Sequence, residues 1–94
     1  MVAQSAPFQK AVVDSKKLKA KPTDEELLQL YSLFKVGTGE DILKATKPGS
    51  FDFKAKYKYN AWKKLVDEKT TPETAQKEYV DLVEKLKGTY GFEG

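Results

Sequence analysis

The 94 residues include no cysteine and no histidine. Disulfides are therefore impossible, the usual zinc and copper sites lack their ligands, and Cys/His or Ser/His nucleophilic arrangements are excluded for want of parts. A site built from carboxylates alone remains, but the acidic residues fall on helix surfaces and caps, with no pair isolated in an apolar run. The expectation is a protein that is not an enzyme and uses neither a cofactor nor a metal. Long hydrophobic runs are missing as well: nothing approaches the ~18 residues of a membrane span, and the opening "MVAQSAPFQK" has neither the basic region nor the apolar run of a signal peptide. A soluble cytoplasmic monomer without stable membrane insertion is expected, and the lack of cysteine suits that compartment. No strand-like alternation, internal repeat, low-complexity tract or glycine-rich phosphate loop occurs either.

What is present is helical periodicity, in four segments. The first runs from about Pro7 to Leu18 with Phe8, Ala11, Val12 and Ser15 at i, i+3, i+4, i+7. The second opens on "PTDEELL", where Thr23 and Glu26 have capping-box spacing and Asp24 and Glu25 suit the positive end of the helix dipole. Leu27, Leu30, Tyr31 and Phe34 form its apolar stripe, and Gly37 is a natural stop. Residues 37 to 51 hold three glycines and Pro48, which predicts a long loop with one helical turn around Asp41 to Lys44. The third helix is "DFKAKYKYNAWKKL", residues 52 to 65, with an apolar arc through Phe53, Tyr57, Ala61, Trp62 and Leu65. Thr71 then caps a fourth, with Pro72 at its first position and Ala75, Tyr79, Leu82, Val83 and Leu86 on one side to about Lys87. A single domain, residues 1 to 94, follows, an all-α four-helix bundle that buries roughly 60 to 65% of its unfolded surface.

The lysines are awkwardly placed. Net charge is only +3, from 17 basic and 14 acidic residues, which permits a nucleic-acid partner without demanding one. Yet Lys54 and Lys58 project into the arc of the third helix, Lys35 lies on the shoulder of the second stripe between Tyr31 and Leu28, and Lys16 sits one turn past Val12. Long stems lying along a core with their heads in water account for any one of them. Taken together, they fit ammonium groups converging on an anion that has a flat apolar part. Several point-charge donors can share a phosphate, and aromatic faces beside them can stack a base at about 1 to 3 kcal/mol each. A nucleotide meets both demands. Aromatics at helical spacing are more often core, so Phe34 and an inward Tyr79, whose hydroxyl needs a partner, leave both readings open.

The runs "KPTDEELLQLYSLFK" (21 to 35), "KPGSFDFKAKYKYNAWKKL" (47 to 65) and "AQKEYVDLVEKL" (75 to 86) resemble the acyl-CoA-binding protein family in order and near-correct separation. The resemblance implies an up-down-down-up four-helix bundle that binds long-chain fatty acyl-CoA esters non-covalently, as a carrier and pool former, with no chemistry performed on them. It implies that Lys35, closing "LYSLFK", and Lys58, opening "KYNAW", hold the ribose 3'-phosphate. Tyr31 and Phe34 would surround the adenine and its phosphate, with Tyr79 contributing from the fourth helix and Lys16 and Lys54 near the head group and acyl chain. Leu27, Leu28 and Tyr57 are the expected walls of the acyl groove. Four departures stand out: Phe34 for the family's tyrosine, Tyr59 for the first tryptophan of its "KWxAW" string, "VGTGED" for "QATVGD" after Lys35 with one extra residue before Pro48, and a turn about two residues longer before the fourth helix. A basic helical nucleic-acid-binding module and a protein-interaction bundle are the alternatives, and interleaved acidic residues speak against the first.

Overall fold

A computed structural model describes residues 3–45, 47–49 and 51–93. Its helices are α1 (Ala6–Asp14), α2 (Asp24–Gly37), α3 (Phe53–Asp67) and α4 (Pro72–Tyr90), and no strand occurs among the described residues. Each helix begins on a side chain that accepts an otherwise unpaired backbone N–H: Ser5 from Phe8, Thr23 from Glu26, Asp52 from Ala55 and Thr71 from Thr74. At α2 the capping box is complete, since the Glu26 carboxylate also accepts the Thr23 backbone N–H at 2.9 Å. The same carboxylate oxygen accepts from the Tyr90 hydroxyl, which fastens the end of α4 to the start of α2.

Contacts between helices fix their directions. Ser5 bonds Gln76 and Asp14 bonds Lys87, so α1 runs parallel to α4. Glu26 meets Tyr90 while the Gly37 carbonyl accepts from Gln76 at 2.8 Å, so α2 runs against α4. Tyr31 lies under Lys58 and Lys35 over Trp62, so α3 runs with α2. The order is up-down-down-up. Phe8, Val83 and Leu86 are fully buried at its centre, joined by Leu30, Leu33, Val36, Trp62 and Tyr79. Close approach is needed at Gly37, where a Cβ would stand 3.2 Å from Gln76 Cγ and 3.3 Å from Phe8 Cζ.

Three boundaries and one face differ from the sequence expectation. The first helix stops at Asp14, not Leu18: a 3-10 turn over Ser15–Lys17 follows, and Leu18 pairs in extended form with Phe92. Backbone bonds from Lys19 N to Gly91 O and from Glu93 N to Lys17 O, each 3.1 Å, secure that pairing, so a long-range contact outweighs the local helical period. Helix α3 starts at Phe53 with Asp52 as its cap and runs two residues past Leu65 to Asp67. Helix α4 continues beyond Lys87 to Tyr90 and ends at Gly91, whose φ of 83° glycine tolerates. The loop turn appears as a 3-10 segment, Ile42–Lys44, while Thr46 and Ser50 of that loop lie outside the described residues. On α3 the packed face is centred on Trp62 with half-buried Ala55, Tyr59 and Leu65, whereas Phe53 and Tyr57 are each 62% exposed. At about 100° per residue those two rings point some 140 to 180° away from Trp62, so the expected arc joined two different sides of the helix.

Asp14 locks α1 to the end of α4. Its carboxylate accepts from Lys10 Nζ at 2.6 Å and from Lys87 Nζ at 2.7 Å, and the Lys87 ammonium also sits 4.4 Å from the Phe92 ring centre. The hydrogen bond from Lys10, then that from Lys87, holds the carboxyl below its ordinary 3.8 against the opposing push of burial. The bond to Asp14 in turn raises Lys87 above 10.5. A depressed carboxyl pKa stabilises the fold above its unfolded value, and that contribution disappears as pH falls through the folded value. A raised lysine pKa stabilises below its unfolded value and ceases to do so as pH rises through the folded one. Asp14→Asn should therefore lower the thermal midpoint across the window between those limits, and the gap from wild type should close as pH falls below about 4. Thermal melts by circular dichroism at pH 3 to 8 check this; a gap of constant size would show that charge is not the cause.

Candidate functional site

Between α1, α2, α3 and α4 lies an open cleft of about 460 Å³. Its floor and walls are apolar, from Val12, Leu27, Leu30 and Phe34. Tyr31, Tyr79 and Ser15 add hydroxyls, and Lys16 and Lys58 add the positive charge. A smaller recess of about 120 Å³ adjoins it, bounded by Ala55, Tyr59, Trp62 and Pro48, and Tyr31 and Lys58 line both spaces. These residues meet because α2 turns its Leu27–Tyr31–Phe34 stripe inward while the parallel α3 brings Lys58 across it.

Tyr31 is the pivot. The Lys58 ammonium stands 5.4 Å from its ring centre and the Lys35 ammonium 5.5 Å, so cations from two helices lie within cation–π range of one ring. Lys35 also stands 5.6 Å from the ring of Trp62, and its nearest anion is Glu40, at 3.0 Å. Trp62 is only 3% exposed, and its indole N–H has no hydrogen-bond partner among the described residues. Every basic side chain in the chain is lysine, so the cations here are compact, rotatable ammonium groups, with no planar guanidinium fork.

Under the cleft three rings stack edge-on and tilted. Tyr79 meets Phe8 at 5.1 Å in a T-shape, and Phe34 lies 6.2 Å from Phe8 and 6.4 Å from Tyr79. Phe34 is half-buried and lines the cleft, so it is both core and wall. The Tyr79 hydroxyl donates to Ser15 Oγ at 3.2 Å, and Ser15 in turn donates to the Val12 carbonyl at 2.8 Å. Burial raises the Tyr79 pKa above 10.0, with the Ser15 bond acting the other way, so the ring presents a neutral hydroxyl at neutral pH.

Of the residues singled out from sequence, Lys16, Leu27, Tyr31, Phe34, Lys58 and Tyr79 line the one cleft, and Lys35 joins them through Tyr31. Leu28, half-buried on α2, and the exposed Lys54 and Tyr57 on α3 lie outside that lining. The sequence reading missed Ser15 and Val12 as wall residues, though both stand in the i, i+3, i+4, i+7 series of α1. It also missed Glu40, which carries no periodic signal. Among the described residues no cluster of acidic groups could hold a metal, and no helix is long and apolar enough to cross a membrane. The arrangement can bind an anion beside a flat ring and extend apolar contact away from it.

A family profile described as acyl-CoA-binding protein matches residues 5–83. Acyl-CoA-binding protein homolog 1 of Caenorhabditis elegans is 48% identical over 86 residues, covering 89% of this chain and 94% of that protein. The acyl-CoA-binding protein of Saccharomyces cerevisiae is 44% identical over 73 residues, covering 78% and 80%. The crystal structure of Oryza sativa acyl-CoA-binding protein 2 superposes with a TM-score of 0.75 at 30% identity, over 88% of this chain and 89% of that one.

Proposed function

The chain belongs to the acyl-CoA-binding protein family and binds acyl-CoA, and on that premise we propose that it is a monomeric, non-enzymatic cytoplasmic carrier that holds long-chain fatty acyl-CoA esters non-covalently and maintains a pool of them. The observation that carries this reading is that the Lys35 and Lys58 ammonium groups each stand within about 5.5 Å of the ring centre of Tyr31, a residue that lines the apolar cleft together with Lys58. Such a pair suits the ribose 3'-phosphate, and the rings of Tyr31 and Phe34 suit the adenine. Tyr79 adds its face from below, and Lys16 at the rim suits the remaining phosphates. The acyl chain would follow Leu27 and Leu28 and leave across α3, where the exposed faces of Phe53 and Tyr57 offer apolar cover beside Lys54. A cysteine-free composition supports the reducing compartment.

The division of labour is energetic. Each buried methylene contributes roughly 0.8 kcal/mol, so a chain of a dozen carbons offers on the order of 10 kcal/mol before ordering costs. The lysines supply selectivity, because a free fatty acid with its chain in the groove carries no phosphorylated head group to reach them. A nucleic-acid partner is not favoured by the family assignment. Calorimetric titration with palmitoyl-CoA, palmitate and free CoA tests the proposal: the ester should bind tighter than either part by more than tenfold, and affinity should rise with chain length by up to ~0.8 kcal/mol per carbon. Equal affinity for CoA and palmitoyl-CoA would leave the groove without a role and overturn it.

A further inference from the structure

Glu40 pairs with one of the two lysines that the proposed function assigns to a phosphate. It follows α2, which ends at Gly37, and three contacts fix it. Its Oε1 accepts from Lys35 Nζ at 3.0 Å, its Oε2 lies 3.3 Å from the buried Thr38 hydroxyl, and its backbone N–H donates to the Lys35 carbonyl at 3.2 Å. The lysine it holds is the one whose ammonium also stands over Tyr31 and Trp62. No other acidic side chain forms an ion pair with Lys35 among the described residues, and none does with Lys58.

We propose that Glu40 is a built-in competitor for the ligand's phosphate, a specificity-determining residue that lowers the affinity gained from the 3'-phosphate by occupying Lys35. The inference rests on the reading of Lys35 and Lys58 as the phosphate-binding pair. Two effects oppose each other. Glu40 holds Lys35 near Tyr31, which preorganises the site, but a carboxylate 3.0 Å from the ammonium repels an incoming dianion and must give up its partner. Side-chain exposures of 24% for Lys35 and 38% for Glu40 place the pair at a partly solvated edge. The ordering benefit of such pairs is small, while like charge brought close in a binding site costs more. Competition therefore wins. Glutamine in the same place keeps the length and one accepting oxygen for Lys35, removes the charge, and replaces the second oxygen by an amide NH2 that can donate to the Thr38 hydroxyl, which itself retains the Lys35 carbonyl as acceptor.

Calorimetry with palmitoyl-CoA and with its 3'-dephospho analogue, on wild type and Glu40→Gln, tests the proposal. The expected result is about fivefold tighter binding of palmitoyl-CoA by the variant, the upper end for one partly exposed ion pair, with the dephospho ester unchanged. In a Lys35→Ala background the gain from Glu40→Gln should vanish, which ties the effect to that one cation. Unchanged or weaker binding of palmitoyl-CoA by Glu40→Gln would overturn the inference and assign Glu40 to positioning Lys35. Equal tightening of both esters would overturn it too, since the charge would then act on the ligand as a whole. Wild-type protein that fails to distinguish the two esters would sink the phosphate reading itself, and this inference with it.

Discussion

Lys58→Ala should weaken acyl-CoA binding by about 2 to 5 kcal/mol, the range for truncating one member of a desolvated charge pair. The expectation comes from position. Lys58 lines both the main cleft and the adjoining recess, its ammonium lies 5.4 Å from the Tyr31 ring, and no carboxylate within the described residues forms an ion pair with it. Its charge is thus open to a ligand, whereas that of Lys35 is shared with Glu40. Removing it leaves the proposed phosphate with Lys35, a cation already engaged by Glu40, beside a cleft walled by Leu27, Leu30 and Phe34. Lys58 is exposed in the free protein, so the loss is felt once the ligand covers the charges and excludes water from them. Titration calorimetry reads the loss directly, and the dephospho ester should show little of it. A variant that binds palmitoyl-CoA as tightly as wild type would remove Lys58 from the site.

How far the sequence could be read depended on whether the information was local. Caps at Thr23 and Thr71, the proline after Thr71 and the stripes of α2 and α4 are set by residues within a turn of each other, so those helices begin where they were expected. The end of α1 did not, because the pairing of Leu18 with Phe92 spans the whole chain and leaves no periodic trace. On α3, five lysines share the helix with only a few apolar residues, so the wheel alone admitted an arc through Phe53 and Tyr57. Trp62, the one α3 side chain that is fully enclosed, selects a different face. The misplaced lysines gave the most direct pointer to the cleft. Lys16 and Lys58 do stand at its edge, and Lys35 reaches it over Tyr31. Lys54 had the same local signature, yet it stays in solvent outside the lining, since one turn along a helix that crosses a cleft is enough to leave it. Glu40 was invisible for the opposite reason: its significance lies in a single ion pair across a loop, and no helical spacing announces it.

Phe8→Ala should cost about 3 to 5 kcal/mol of folding stability and lower the thermal midpoint by roughly 15 to 30 °C for a chain of this length. Phe8 is fully buried, and it is the ring on which Tyr79 stands in a T-shape and against which Phe34 leans. Its Cζ also lies 3.3 Å from where a Cβ at Gly37 would be, so the space around it has little room to collapse. Truncation therefore leaves a cavity under the cleft rather than at the edge of the molecule, and the cost has a transfer part and a cavity part. Binding should suffer less than folding, because Phe8 does not line the cleft and acts on it only through Phe34 and Tyr79. Acyl-CoA that binds the native state alone stabilises it by about 2.7 kcal/mol at a hundredfold excess over its dissociation constant. A saturating ligand should thus recover much of the lost midpoint in the variant, provided the cleft re-forms over the cavity. Urea denaturation followed by Trp62 fluorescence, with and without palmitoyl-CoA, measures both quantities. A variant as unstable as expected but deaf to ligand would mean that the cavity has carried Phe34 and Tyr79 out of position, so that the hydrophobic core and the binding surface cannot be separated at this point in the fold.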